Sequence, residues 1–247
     1  MTETTCTSST EPEAGKLVIG GHYPNPPLPE DDVTVGNKFN HTMLRIRDPT
    51  KSLHFYRDLM GMRTIFTING GPFTNYYLGF PHTAEHRKDL GAFSAETAKN
   101  LPFTPGLLEL KHIHGAEKMP EDYYSNGNTP PSLGFGHLGF TVANVPETVQ
   151  RLEAAGIKVF KPLGVANRAS IPLSDWEAER GVGVGDEDSI HDGYKQILRR
   201  IAFVHDPVSQ SPSPALRIPR VVNSSAVALD PTRLQMLPRR LDDGLVG

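Results

Sequence analysis

Phe39-Asn40-His41-Thr42-Met43-Leu44-Arg45-Ile46-Arg47-Asp48-Pro49 is the stretch whose reading decides the fold. An echo of it, Phe135-Gly136-His137-Leu138-Gly139-Phe140-Thr141-Val142, returns later in the chain. Both put a histidine two residues after a phenylalanine, at the head of a short apolar run. Each run then meets a proline (Pro49, Pro146), a helical pattern and a closing glycine (Gly61, Gly156), with the histidine-to-glycine spacing equal to within one residue. Two copies of one unit, each opened by a histidine, point to a symmetric metal site.

Outward from the first copy, His41 to Ile46 reads as a strand. Asp48 and Pro49 start a helix, Asp as N-cap and Pro in the first turn. Leu53, Phe55, Tyr56, Leu59 and Met60 repeat at helical spacing and form core, and Gly61 stops the helix. Arg63 to Ile68 and Asn75 to Phe80 are the next strands, joined by a turn at Asn69-Gly70-Gly71-Pro72. A polar loop over 81–105 holds a short helix around Ser94 to Lys99, and Leu107 to Leu110 is the fourth strand. The order is βαβββ.

The second copy begins in the same way. Gly139 to Val142 is a strand, Val145-Pro146-Glu147 opens a helix with Val149, Leu152 and Ala155 on one face, and Ile157 to Phe160 is a strand. Residues 163–191 then run long, with Trp176, a Gly181 to Gly185 tract and the acidic Asp186-Glu187-Asp188. The glycine tract has no strand-to-helix context and is no phosphate loop. Strand character returns at Ile201 to Val204. Beyond Pro207 the chain becomes rich in Ser and Pro, and Leu216 to Val222 is at most a weak strand spoiled by Pro219.

Asn40 to Arg45, with Lys51-Ser52-Leu53-His54-Phe55-Tyr56 and Leu59-Met60-Gly61-Met62, resembles the opening of the glyoxalase I (lactoylglutathione lyase) family. Leu108-Glu109-Leu110-Lys111-His112, Asn126-Gly127-Asn128 and Gly134-Phe135-Gly136-His137 match later signatures in the same order. The resemblance covers roughly residues 39–207. It implies an α+β protein of the vicinal oxygen chelate fold, with paired βαβββ modules at 39–112 and 134–207, an insertion near 163–191 and a second module left incomplete. A disordered arm (1–38) and an irregular tail (208–247) flank it.

The resemblance further implies metal ligands at His41, Glu109 and His137, and a divalent ion such as Zn²⁺ or Ni²⁺. Glutathione would be the co-substrate, Arg45 and Lys161 would bind substrate carboxylates, and a homodimer would complete each site. The implied reaction isomerises the hemithioacetal of methylglyoxal and glutathione to S-lactoylglutathione. Alone, each histidine is more often structural, and Arg45 reads equally as a solvated strand residue. Alternation allows Glu109 to face outward, but apolar Leu108 and Leu110 imply that both strand faces are partly covered, where a carboxylate needs a partner; the repeat and the resemblance favour the ligand reading. Two substrate positions are altered, since Ile113 and Leu133 stand where the family carries an asparagine and a basic residue. His112 and His114 read as surface residues, and His205-Asp206 as the end of a strand.

One departure matters more. The family's fourth ligand, a glutamate that also transfers the proton, is expected in a strand soon after Pro207, and no glutamate follows Pro207. Two explanations stand: divergence, or intron sequence retained from Val208-Ser209, whose codons can spell a splice donor. The alternative function is therefore an impaired or diverged relative that binds or transforms another small oxygenated metabolite.

Composition narrows the field. Among 247 residues are 22 Pro and 23 Gly, with hydrophobic content of 37%, so long irregular stretches accompany a folded part. A net charge of −3 gives no electrostatic reason to expect nucleic acid or an anionic membrane. The single cysteine, Cys6, precludes an intrachain disulfide. No apolar run reaches the roughly 20 residues of a membrane helix, and the polar, acidic N-terminus is unlike a secretory signal. The expectation is a cytoplasmic protein acting on a small molecule.

Overall fold

The computed structural model describes residues 27–171, 173–206 and 224–229. Two four-stranded sheets share one topology. In the first unit β1 (His41–Ile46), β2 (Arg63–Asn69), β3 (Phe73–Gly79) and β4 (Leu107–Ile113) lie in the order β1-β4-β3-β2. A hairpin of β5 (Asn128–Thr129) and β6 (Ser132–Leu133) fills the connection to the second unit. There β7 (Phe140–Thr141), β8 (Val159–Lys161), β9 (Ile201–His205) and β10 (Ser224–Leu229) lie in the order β7-β10-β9-β8. In each sheet the first and fourth strands are parallel and the remaining neighbours antiparallel.

The helices start and stop where the sequence provides caps. Asp48 accepts hydrogen bonds from the amides of Thr50 and Lys51 to open α1 (Pro49–Leu53), which runs into a π-turn over His54–Leu59. That turn departs from the regular helix predicted. Its wider winding, seen in the Met60 N–H donating to the Phe55 carbonyl, lets the consecutive Phe55 and Tyr56 both be fully buried. Gly61 (φ 87°) and Gly156 (φ 79°) end the two helical segments in the left-handed conformation that favours glycine. In the polar loop, α2 (Ala84–Lys88) and α3 (Leu90–Lys99) form, longer than the single short helix expected. In the second unit α4 (Val145–Ala154) follows the pattern read, while the long segment adds α5 (Asp175–Ala178) and α6 (Asp192–Leu198).

The tail was expected to be irregular and the second unit incomplete. Instead Ser224–Leu229 forms the fourth strand, between β7 and β9. A slot between two strands supplies ladder partners on both sides, which the run of prolines after Pro207 conceals when the sequence is read alone. Leu216 to Val222, residues 1–26 of the expected arm and the rest of the tail lie outside the described residues. Among the described residues no helix is long and apolar enough to cross a membrane.

One core unites the units: Ile46, Phe55, Tyr56, Met62, Leu78, Leu108 and Leu110 of the first pack with Leu152 and Val204 of the second. The Tyr56 hydroxyl donates to Asp206 Oδ2 at 2.6 Å, with both residues buried. This bond ties the π-turn of the first unit to the end of β9. Tyr56→Phe is expected to lower stability by about 1–3 kcal/mol, because the buried carboxylate loses a donor. A melting temperature unchanged from the wild type would show that Asp206 does not depend on it.

Candidate metal centre

Alternation along β1 and β4 divides their side chains between two environments. Thr42, Leu44 and Ile46, with Leu108 and Leu110, point to the core side. His41, Met43 and Arg45, with Glu109 and Lys111, occupy the opposite face, and the three β1 residues there are exposed. The register pairs Met43 with Glu109 and Tyr77 with Glu109, so Glu109 stands mid-sheet with His41 two residues up the neighbouring strand.

The geometry around this pair is specific. His41 Nε2 lies 3.5 Å from Glu109 Oε2, and the Tyr77 hydroxyl donates to the same oxygen at 2.7 Å. The His41 and Tyr77 rings meet edge to face at 5.6 Å. Burial and the Glu109 carboxylate push the Tyr77 phenol up to about 12, so it remains a donor at neutral pH. Glu109 is 7% exposed, and its two neighbours keep a buried carboxylate from being left unpaired.

Asn40 decides which imidazole nitrogen carries the proton. Its Nδ2 donates to the carbonyls of Leu101 (2.7 Å) and Thr104 (2.8 Å), so that end of the amide is the nitrogen. Oδ1 is left to accept from His41 Nδ1 at 2.7 Å. In the neutral ring, then, Nε2 turns a lone pair toward a carboxylate oxygen, an arrangement that a cation between them satisfies. Two donors each about 2.0–2.2 Å from a tetrahedral ion stand about 3.4 Å apart. The His41–Glu109 pair fits two positions of such an ion, with the outer-sphere support that metal-ligating imidazoles usually have.

The third expected ligand is elsewhere. His137 is exposed and lines a cavity of about 550 Å³ with Phe39, Thr42, Phe80, Leu108 and Phe135. Among the described residues no three His, Cys, Asp or Glu side chains converge on one point. His137 nonetheless repeats the setting of His41: its ring meets Phe203 of β9 edge to face at 5.5 Å, as His41 meets Tyr77 of β3. The register extends the parallel. Glu109 pairs with Tyr77, and Val227 pairs with Phe203, so Val227 takes the register position in the second sheet that Glu109 takes in the first.

Arg45 lies on the His41 face. Lys161 does not, and the expectation that it binds substrate is corrected. It is 1% exposed, and its Nζ donates to the carbonyls of Leu198, Ile201 and Pro162, holding the end of α6 against β9. Burial pushes its pKa down to about 8, while the three carbonyls favour the ammonium form. A cation enclosed in this way is not open to a substrate carboxylate. His205 and Asp206 are both buried, Asp206 against Tyr56. Sequence reading missed Asn40 and Tyr77, although strand alternation places Tyr77 beside Glu109 once β3 and β4 are paired.

The chain matches the glyoxalase/bleomycin resistance protein/dioxygenase superfamily over residues 38–169 and belongs to it. Its fold is accordingly the α+β vicinal oxygen chelate fold of paired βαβββ modules. It is 35% identical over 149 residues to the lactoylglutathione lyase of Pseudomonas aeruginosa, covering 59% of this chain and 81% of that one. Glyoxalase I of Saccharomyces cerevisiae is 34% identical over 140 residues, covering 55% of this chain and 40% of the yeast protein. The lactoylglutathione lyase of Schizosaccharomyces pombe is 37% identical over 130 residues, covering 51% and 39%. The chain thus spans about two-fifths of the length of the two yeast relatives it matches. A solved glyoxalase I of Leishmania major aligns at TM-score 0.42 and 16% identity, covering 78% of this chain and 86% of that one.

Asn40→Leu is expected to release the His41 tautomer, seen as mixed Nδ1–H and Nε2–H signals in the imidazole ¹⁵N spectrum. Zinc affinity in a chelator competition should fall by about 10–100-fold. Asn40→Asp keeps the acceptor and should retain Nδ1–H. A single Nδ1–H signal in Asn40→Leu would remove the assigned role.

Proposed function

We propose that this chain is a metalloenzyme of lactoylglutathione lyase type, isomerising the hemithioacetal of methylglyoxal and glutathione to S-lactoylglutathione. The observation that carries the reading is the His41–Glu109 pair, an imidazole nitrogen and a carboxylate oxygen at a metal-bridging separation on an exposed sheet face. The names of the relatives support the reaction class. The ligands are His41 and Glu109 of one chain and His137 of a second copy, so that a homodimer completes each site. A nitrogen–oxygen donor set of this kind suits Zn²⁺ or Ni²⁺. When bound, the ion acidifies the proton beside the substrate carbonyl and stabilises charge developing on the substrate oxygens.

The chain's own residues do the rest. Arg45, on the same face, takes a substrate carboxylate. Glu109 moves the proton between the neighbouring carbons, and the Tyr77 hydroxyl holds its carboxylate in one orientation meanwhile. Asn40 keeps His41 Nε2 free to ligate.

A second reading is favoured by a specific observation, Val227 at the register position of a glutamate. On this reading the protein binds or slowly transforms another small oxygenated metabolite, because one proton-transfer group is gone. The two readings separate in an assay for the thioester absorbance with methylglyoxal, glutathione and Zn²⁺ or Ni²⁺. Turnover supports the first; bound metal without turnover supports the second. Val227→Glu is expected to raise kcat by about a hundredfold, within the usual range for general acid–base catalysis. Equal rates in variant and wild type would mean that this position does not limit the reaction.

The shared site has its own test. His41→Ala and His137→Ala chains are each expected to lose metal binding as homodimers, whereas mixing and refolding them together should restore about one intact site per heterodimer. Failure of the mixture to recover any metal would sink the shared-site arrangement.

A further inference from the structure

The two units join their second and third strands in different ways. Residues 70–72 alone connect β2 to β3, whereas β8 ends at Lys161 and β9 begins at Ile201. Strands that are antiparallel neighbours, as β8 and β9 are, need only a tight turn between them. The sheet itself therefore does not require the long connection, and its neck is narrow: the Gly164 N–H donates to the Arg199 carbonyl at 2.9 Å. Beyond the neck the segment is tied to itself. The Arg168 amide donates to Glu187 Oε2 (2.6 Å), and its guanidinium donates to the carbonyls of Gly185 (3.2 Å) and Gly183 (3.4 Å). Ser174 and Glu177 cap α5 reciprocally.

The underside of this body is apolar and rests on one face of the sheet. Ile171, Ile190 and Leu198 are buried together, with Phe203 of β9 packed against them. Ala202 packs with Val145 of α4, and Val204 joins the core shared by the two units, so alternation sends Phe203 to the opposite face. There His137 meets Phe203, as His41 meets Tyr77 in the first unit. Lys161, the register partner of Phe203, lies under the same cover, its Nζ donating to the Leu198 carbonyl at the end of α6. The first sheet leaves the equivalent face open, with His41, Met43 and Arg45 exposed; the second fills it with the chain's own side chains.

We propose that the β8–β9 connection is an autoinhibitory plug, closing the Phe203 face beside His137 to ligands until it lifts from the sheet. A ligand that needs this face binds only the fraction of molecules in which the plug is off, and its apparent affinity falls by that fraction. The segment is suited to lifting as one piece. Its internal ties close on themselves, and the sheet grips it through the small Ile171–Ile190–Leu198 cluster and the Lys161 ammonium. The occlusion rests on the fold alone; that the excluded ligand is a glutathione conjugate rests on the proposed function.

Replacing residues 163–199 by Asn-Gly, a sequence suited to a two-residue hairpin turn, removes the plug and keeps both strands. The shortened and wild-type chains are compared by calorimetric titration with S-hexylglutathione and with anilinonaphthalene sulfonate, an apolar anion unrelated to glutathione. The shortened chain is expected to bind both about tenfold more tightly or better, as for a face open less than a tenth of the time. A full-length chain carrying Ile171→Ser with Ile190→Ser, which loosens the underside without touching the strands, should fall between the two. It should also exchange amide hydrogens faster within 163–199, and it carries the test if the shortened chain does not fold. Cooperative melting is the folding control for each chain. A gain for the sulfonate alone upholds the plug and overturns the glutathione reading. No gain for either probe in a cooperatively melting variant overturns the plug, whatever turnover the wild type shows.

Discussion

The parallel pairing of β1 with β4 is the constraint on which the rest depends. It commits Leu44, Ile46, Leu108 and Leu110 to a core shared with Phe55 and Tyr56, and so commits His41, Arg45, Glu109 and Lys111 to the other face. A slip of one residue would expose the leucines and bury an imidazole, a guanidinium and a carboxylate. Burying each large apolar side chain contributes about 1.5–3 kcal/mol. Several act together here, so the polar face is held in register by the packing behind it more than by its own contacts.

The second sheet repeats this plan and then departs from it in two linked places. Each unit sets a histidine edge-on against an aromatic ring of its third strand, at 5.6 and 5.5 Å. In the first unit that ring is Tyr77, and its hydroxyl bonds Glu109. In the second it is Phe203, and the paired residue is Val227. One unit keeps a two-donor pair, and the other keeps a single imidazole.

Much of this was legible in the sequence because it is local. Asp48 and Pro49, Gly61 and Gly156, and the apolar runs behind the two histidines each act within one turn or one strand, and the structure uses them as read. The π-turn was not legible, because helical spacing alone does not reveal that consecutive Phe55 and Tyr56 are both needed in the core. The fourth strand of the second unit was hidden for a related reason: Ser224–Leu229 has weak intrinsic strand character, and the edges of β7 and β9 supply its partners. Lys161 was misread because a lysine's charge suggests solvent, and only the position of α6 reveals three carbonyls waiting for it.

By itself the sequence determined the repeat, the family resemblance and the residue types that a metal site requires, since motif spacing and caps are properties of neighbouring residues. Only the tertiary structure decided how those residues combine. It brought His41 to Glu109 through strand pairing and assigned the imidazole proton through Asn40. It set His137 in a separate cavity and turned Lys161 inward. These outcomes depend on which strands lie side by side and which face each side chain meets, relations between residues far apart in the chain that no local pattern encodes.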